Sequence, residues 1–144
     1  MSSLVTKGHP ALSAVSDTVQ IHELPSLEID HLLSTMWEAV RRHGGIGIAA
    51  NQVAVTRRVI VINTKKTKLA VINPEIVHTW GALKPSHEGC LSFPGLSSRM
   101  SRYKKLRIKG RMKDGTVFNR TLVGLDAIVA QHEIDHLNGV TIDD

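Results

Sequence analysis

The chain has 144 residues, of which 42% are hydrophobic and 22% charged, with a formal net charge of +5. These values suit one soluble globular domain, residues 1–144, with a single core. No apolar run approaches the ~20 residues of a membrane span, residues 1–10 lack the apolar segment of a secretory signal, and the lone Cys90 can form no internal disulfide. A reducing compartment follows, the cytoplasm by default, and an organelle reached with a since-removed targeting peptide fits as well.

Residues 26–43 predict an amphipathic helix. Leu27, Ile29, Leu32, Leu33, Met36, Trp37 and Val40 recur at roughly helical spacing, Pro25 suits a helix start, and Gly44-Gly45 stops it. The run Gly45-Ile46-Gly47-Ile48-Ala49-Ala50-Asn51-Gln52 superficially matches a dinucleotide fingerprint. It follows a helix rather than a strand, however, and Lys65-Lys66-Thr67-Lys68 stands where an acidic ribose partner belongs. A small-residue strand that lets another backbone approach closely is the better reading. Residues 58–63 carry Val59, Ile60, Val61 and Ile62, the pattern of a buried strand. Residues 69–72 and 76–80 read as two further short strands separated by Asn73-Pro74.

Residues 106–112 and 117–122 flank Asp114-Gly115, a hairpin signal. Within them Arg107, Lys109, Arg111 and Lys113 alternate with Ile108, Gly110 and Met112, as on a strand with one wet and one buried face. A solvated sheet face explains the basic row; loose attraction to nucleic acid or a ribosome surface is the functional alternative. With aromatic content at 3%, stacking platforms for single strands are not expected. Residues 124–138 form a second helix, ended by Asn138-Gly139. The fold class is therefore α+β: mostly antiparallel strands packed around a buried C-terminal metal-binding helix, with one N-terminal amphipathic helix.

The second helix contains His132-Glu133-Ile134-Asp135-His136. Residues four apart share a helix face, so both imidazoles can address one ion, and Glu133 can reach a water on it. Two ligands leave a divalent ion incomplete. Only eight residues follow His136, none of them His or Glu, so the third ligand must come from upstream. Cys90, within Glu88-Gly89-Cys90-Leu91-Ser92, is the best candidate, since a cation stabilises a thiolate.

These three clusters, in this order and spacing, make the chain resemble the peptide deformylases over most of its length. The resemblance implies removal of the formyl group from N-formylmethionine at the start of new polypeptides. It implies one divalent ion, Fe²⁺ in vivo with Zn²⁺, Ni²⁺ or Co²⁺ able to occupy the site, held by Cys90, His132 and His136. A hydroxide on that ion would attack the formyl carbon, Glu133 would act as general base and then acid, and Gln52 with the Leu91 backbone N–H would steady the oxyanion. The peptide would lie as an added strand beside Ile46 and Gly47 and reach the Gly89 carbonyl, with its methionine among Ile46, Leu125, Ile128 and Val129. Arg102 would brace Glu88 behind the ligands.

Departures from the family pattern are Gly44 in place of a common Glu, Ser97 in place of a basic residue, and Ser86 in place of an aliphatic one. The chain also ends before the C-terminal helix that many bacterial members use at the ribosome, which leaves only a transient ribosome contact to expect. Neither a membrane nor a specific nucleic acid is expected as a partner. The alternatives are a different H-E-x-x-H metallopeptidase and a non-catalytic peptide-binding relative.

Overall fold

The computed structural model describes residues 4–144; the first three residues of the 1–10 segment lie outside the described residues. Its elements are α1 (Leu27–Arg42), β1 (Gly47–Ala49), β2 (Val59–Asn63), β3 (Lys68–Thr79), β4 (Lys84–Gly89), β5 (Ser97–Arg102), β6 (Lys105–Arg111), β7 (Val117–Val123) and α2 (Leu125–Leu137). Short 3₁₀ turns occur at Pro10–Leu12, Ile21–Glu23 and Ala50–Val53. Among the described residues no helix is long and apolar enough to cross a membrane.

Helix α1 begins where the Ser26 hydroxyl accepts the Ile29 N–H at 3.3 Å. It ends in a Schellman cap: Gly44 takes φ 66°, the Gly44 N–H bonds the Arg41 carbonyl, and the Gly45 N–H bonds the Val40 carbonyl at 2.8 Å. Its buried stripe is Ile29, Leu32, Leu33, Met36, Ala39 and Val40. Leu27, expected on that stripe, is instead 87% exposed. It lies two positions before Ile29, and at about 100° per residue this puts it on the opposite side of the helix.

Five strands form one antiparallel sheet in the order β1-β2-β3-β6-β7. Strand β2 is buried on both faces. Val59 and Val61 join Met36 and Val40 of α1, while Ile60 and Ile62 join Ala127, Val129 and Ala130 of α2. The period-two alternation of a strand thus feeds two separate cores. The two short strands expected at 69–72 and 76–80 are one strand, β3. Asn73, at φ 54°, and Pro74 form a bulge that shifts the register rather than ending the ladder. The Asn73 amide holds the bulge by pairing with both the N–H and the C=O of Val19, at 2.9 and 2.7 Å.

The small-residue run is a strand only at Gly47–Ala49, because the Gln52 side chain folds back to accept the Ala49 N–H at 2.9 Å and turns the chain. The hairpin over Asp114-Gly115 and the alternation in β6 are as expected: Leu106, Ile108 and Gly110 face inward. Among the described residues, strands β4 and β5 pair with each other and with no other strand. Their sequences, Lys84-Pro-Ser-His-Glu-Gly89 and Ser97-Ser-Arg-Met-Ser-Arg102, carry no β-branched run to announce them.

The stripe of α1 gives a direct test by denaturant unfolding. Met36→Ala should cost about 2–5 kcal/mol, whereas Leu27→Ala should stay within about 0.5 kcal/mol of the parent. Equal losses would contradict this orientation of the helix.

Candidate metal centre

Helix α2 is buried along most of its length, including Gln131, His132, Glu133 and His136. Its C-terminus is closed by Gly139 at φ 76°, whose N–H bonds the His136 carbonyl at 3.0 Å. The buried Asn51 amide donates to that carbonyl at 2.6 Å. The turn after β1 therefore fixes the last turn of the helix and, with it, the His136 ring.

Cys90 follows directly on β4. Its Sγ lies 3.2 Å from His136 Nε2. One ligand atom each from Cys90, His132 and His136 falls within 4.8 Å of the others. Metal bonds of about 2.3 Å to sulfur and 2.0–2.1 Å to nitrogen, at a tetrahedral angle, imply a sulfur–nitrogen separation of roughly 3.5 Å. The observed approach is close to the separation that two ligands of one ion require. His132 Nδ1 is engaged by Glu88 Oε1 at 2.8 Å, which leaves its Nε2 for the centre.

Glu88 is held in turn by Arg102, whose Nε and Nη2 donate to its two oxygens at 2.9 and 2.8 Å. Arg102 also bonds Asp135 on α2. The Gln131 amide accepts the Tyr103 N–H at 2.9 Å and donates to the Tyr103 carbonyl at 2.6 Å. These bonds tie the β4–β5 ribbon to the helix. Asp135, Gln131 and Asn51 had no role in the reading of the sequence. Nothing in their spacing marks them, because each acts on a residue far along the chain.

Burial works against a charge on Glu88, yet hydrogen bonds from His132, Arg102 and Ser86 outweigh it and bring its pKa down to about 2. Burial likewise opposes protonation of His132, but the carboxylates of Glu133 and Glu88 and the Cys90 thiol lift it to about 10. At His136, burial together with the charges of His132 and Arg102 lowers the pKa to about 3, so its ring stays neutral. Burial pushes Glu133 up to about 7, against the pull of His132 and Arg102. The same field that favours a proton on His132 favours a cation between the rings and the thiol. Glu133 Oε1 is buried without a hydrogen-bond partner.

A cleft of about 700 Å³ opens beside this group. It is lined by Ile46, Gly47, Gly89, Leu125, Ile128 and Val129, and by Gln52, Glu88, Cys90, Leu91, His132 and Glu133. Arg102 and His136 lie behind the lining, 5% and 1% exposed. Because Gln52 Oε1 is taken by Ala49, its Nε2 faces the cleft, 3.2 Å from Ser92 Oγ and 3.5 Å from Cys90 Sγ. The small residues permit close approach, by the backbone as expected, with the Val61 carbonyl 3.2 Å from a Cβ at Gly47, and more tightly by side chains. A Cβ at Gly47 would meet Val129 at 2.5 Å and Glu133 Oε2 at 2.8 Å, and one at Gly45 would meet Leu91 at 2.7 Å. Of the residues where the chain departs from the family pattern, Gly44 and Ser86 line the cleft.

The sequence profile of the polypeptide deformylases matches residues 1–144. A peptide deformylase of Aquifex aeolicus is 42% identical over 123 residues, covering 81% of this chain and 72% of its own. The crystal structure of the deformylase from Vibrio parahaemolyticus bacteriophage VP16T, in complex with actinonin, superposes with a TM-score of 0.90 at 37% identity, covering 99% of this chain and 100% of its own. A class I type b peptide deformylase from Acinetobacter baumannii, bound to Met-Ala-Ser, gives a TM-score of 0.90 at 27% identity, with 97% and 94% covered.

The ion-pair chain gives a test by metal titration. Arg102→Ala strands the Glu88 carboxylate and frees the His132 ring, so divalent-ion affinity should fall about 10–100-fold. Unchanged affinity would show that the Glu88–His132 bond needs no brace.

Proposed function

Because the chain belongs to the polypeptide deformylase family, we propose that Cys90, His132 and His136 hold one divalent ion and that Glu133 moves the protons as a formyl group is cut from a peptide N-terminus. The chain is a metal-dependent hydrolase of N-formylmethionyl peptides. The resident ion in this reading is Fe²⁺, with Zn²⁺, Ni²⁺ and Co²⁺ as substitutes. Residues 1–144 act as one catalytic domain, and the place of action is the cytoplasm. The observation that carries the reading is the 3.2 Å approach of Cys90 Sγ to His136 Nε2 beside a cleft that Glu133 also lines.

When bound, the ion supplies Lewis acidity: it acidifies water and polarises a carbonyl oxygen. Glu133 accepts the proton of the attacking water and returns it to the amine nitrogen as the C–N bond breaks. Its burial suits this work, since burial raises the proton affinity of a carboxylate that must take a proton from water. The Gln52 Nε2 group and the Leu91 N–H donate to the formyl oxygen as it becomes negative, and losing one such donor typically costs about 10²–10³ in turnover.

Positioning comes from the fold. Among the described residues strand β1 pairs only with β2, which leaves its second edge for a peptide strand along Ile46 and Gly47. The Gly89 carbonyl accepts from the peptide on the other side. The methionine side chain enters between Ile46, Leu125, Ile128 and Val129, all of which line the cleft. The Met-Ala-Ser tripeptide bound by the Acinetobacter baumannii relative supports this occupancy.

The experiment is an anaerobic assay of the Fe²⁺-loaded protein on formyl-Met-Ala-Ser, reading formate. Formate should be released, and acetyl-Met-Ala-Ser should be left intact. Glu133→Gln should keep the ion and lose about 10²–10⁴ in turnover. Cleavage of internal bonds instead would mark a metallopeptidase, and no turnover with the ion bound would mark a peptide-binding relative.

A further inference from the structure

We infer that the outer face of the β6–β7 hairpin is a docking surface for the phosphate backbone of a double-helical RNA. The inference is independent of the chemistry proposed above. The inner face of the hairpin, with Leu106, Ile108 and Leu122, packs into the core under α2. The outer face carries no apolar layer. It presents Lys105, Arg107, Lys109 and Arg111 in one row, opposite Val123, Thr121, Asn119 and Val117 of β7. Lys105 and Lys109 are exposed, and Arg107 and Arg111 are half-buried.

The two guanidinium groups are oriented by neutral acceptors. Arg107 Nη1 donates to Thr121 Oγ1 at 2.9 Å, and Arg111 Nη1 donates to the Gly115 carbonyl at 3.0 Å. Their charge is left for an outside anion. Glu75 stands opposite Lys109 in the register, but among the described residues neither it nor any other carboxylate closes an ion pair with Arg107, Lys109 or Arg111. At about 3.3 Å per residue the four cations span roughly 20 Å, long enough to meet several backbone phosphates. The net charge of +5 favours approach to any polyanion.

The neighbours of the row select among polyanions. Its middle is flanked by Asn119 and Thr121, whose groups suit 2′-hydroxyls and phosphate oxygens. The apolar Val117 and Val123 stand at its two ends and form no continuous stripe to enter a lipid surface. No aromatic side chain of β6 or β7 stands on the outer face. The nearest ring, Trp80, is covered by Lys105 Nζ at 4.8 Å and packed edge-on against His78, which stands opposite Arg107. It offers no open face to an unstacked base, so a duplex is favoured over a single strand.

The test is fluorescence anisotropy of the metal-loaded protein with an RNA duplex of about 20 base pairs, between about 50 and 200 mM salt. Arg107→Gln/Lys109→Gln should weaken binding about tenfold and reduce the slope of log K against log salt by about 2. Lys65→Gln/Lys66→Gln removes the same charge from the exposed β2–β3 turn and should change binding less than about twofold. Both should keep parental formate release. If loss of Arg107 disturbs the fold, Lys105→Gln/Lys109→Gln carries the same expectation through two exposed positions. Equal effects of the two charge removals, no effect at the row, or no binding at about 50 mM salt would overturn the inference. So would loss of binding to phosphatidylglycerol vesicles with RNA binding intact, which would assign the row to a lipid surface.

Discussion

One buried guanidinium joins the two parts of this site. The ribbon that delivers Cys90 shares no strand pairing with the main sheet, and the imidazoles ride on a helix packed against that sheet. Arg102 closes the gap by gripping Glu88 on the ribbon and Asp135 on the helix. Glu88 then reaches across to His132. A charge this deeply buried is costly unless fully paired, and removing one partner exposes the whole penalty. The arrangement is therefore rigid in the direction that matters, the distance between a thiol and two rings.

The helix side of the site depends on absent side chains as much as on present ones. Gly47 leaves room for Val129 and Glu133 against β1, and Gly45 leaves room for Leu91. Either Cβ would force the cleft open where the small formyl group must fit. The result is a carboxylate buried against a strand edge, close to the ligands and screened from bulk water. Burial raises its proton affinity, and nearby cations temper the rise.

Much of this was legible in the sequence because local patterns carried it. The i, i+4 histidines, the Gly-Gly helix stop, the Asp114-Gly115 hairpin and the β-branched run of β2 each act over a few residues. The Glu88–Arg102 pair was reached only through family resemblance, and the structure does bring those two side chains together. What stayed hidden acts over distance. Asp135 and Gln131 reach across to the ribbon and the residue that follows it, and Asn51 serves a carbonyl 85 residues away. The polar β4–β5 ribbon lacked strand chemistry, since its pairing is fixed by what it docks on. Asn73-Pro74 looked like a break because a bulge and a strand end use the same residues; only the bond to Val19 distinguishes them.

The proposed chemistry and the scaffold thus share one requirement, that the Cys90 sulfur and the His132 and His136 imidazoles are placed to converge on a single ion. X-ray absorption of the anaerobically loaded protein measures that convergence directly. One sulfur at about 2.3 Å and two imidazole nitrogens at about 2.0–2.1 Å are expected, with the sulfur lost in Cys90→Ala. A coordination shell without sulfur, or one unchanged by that substitution, would contradict it.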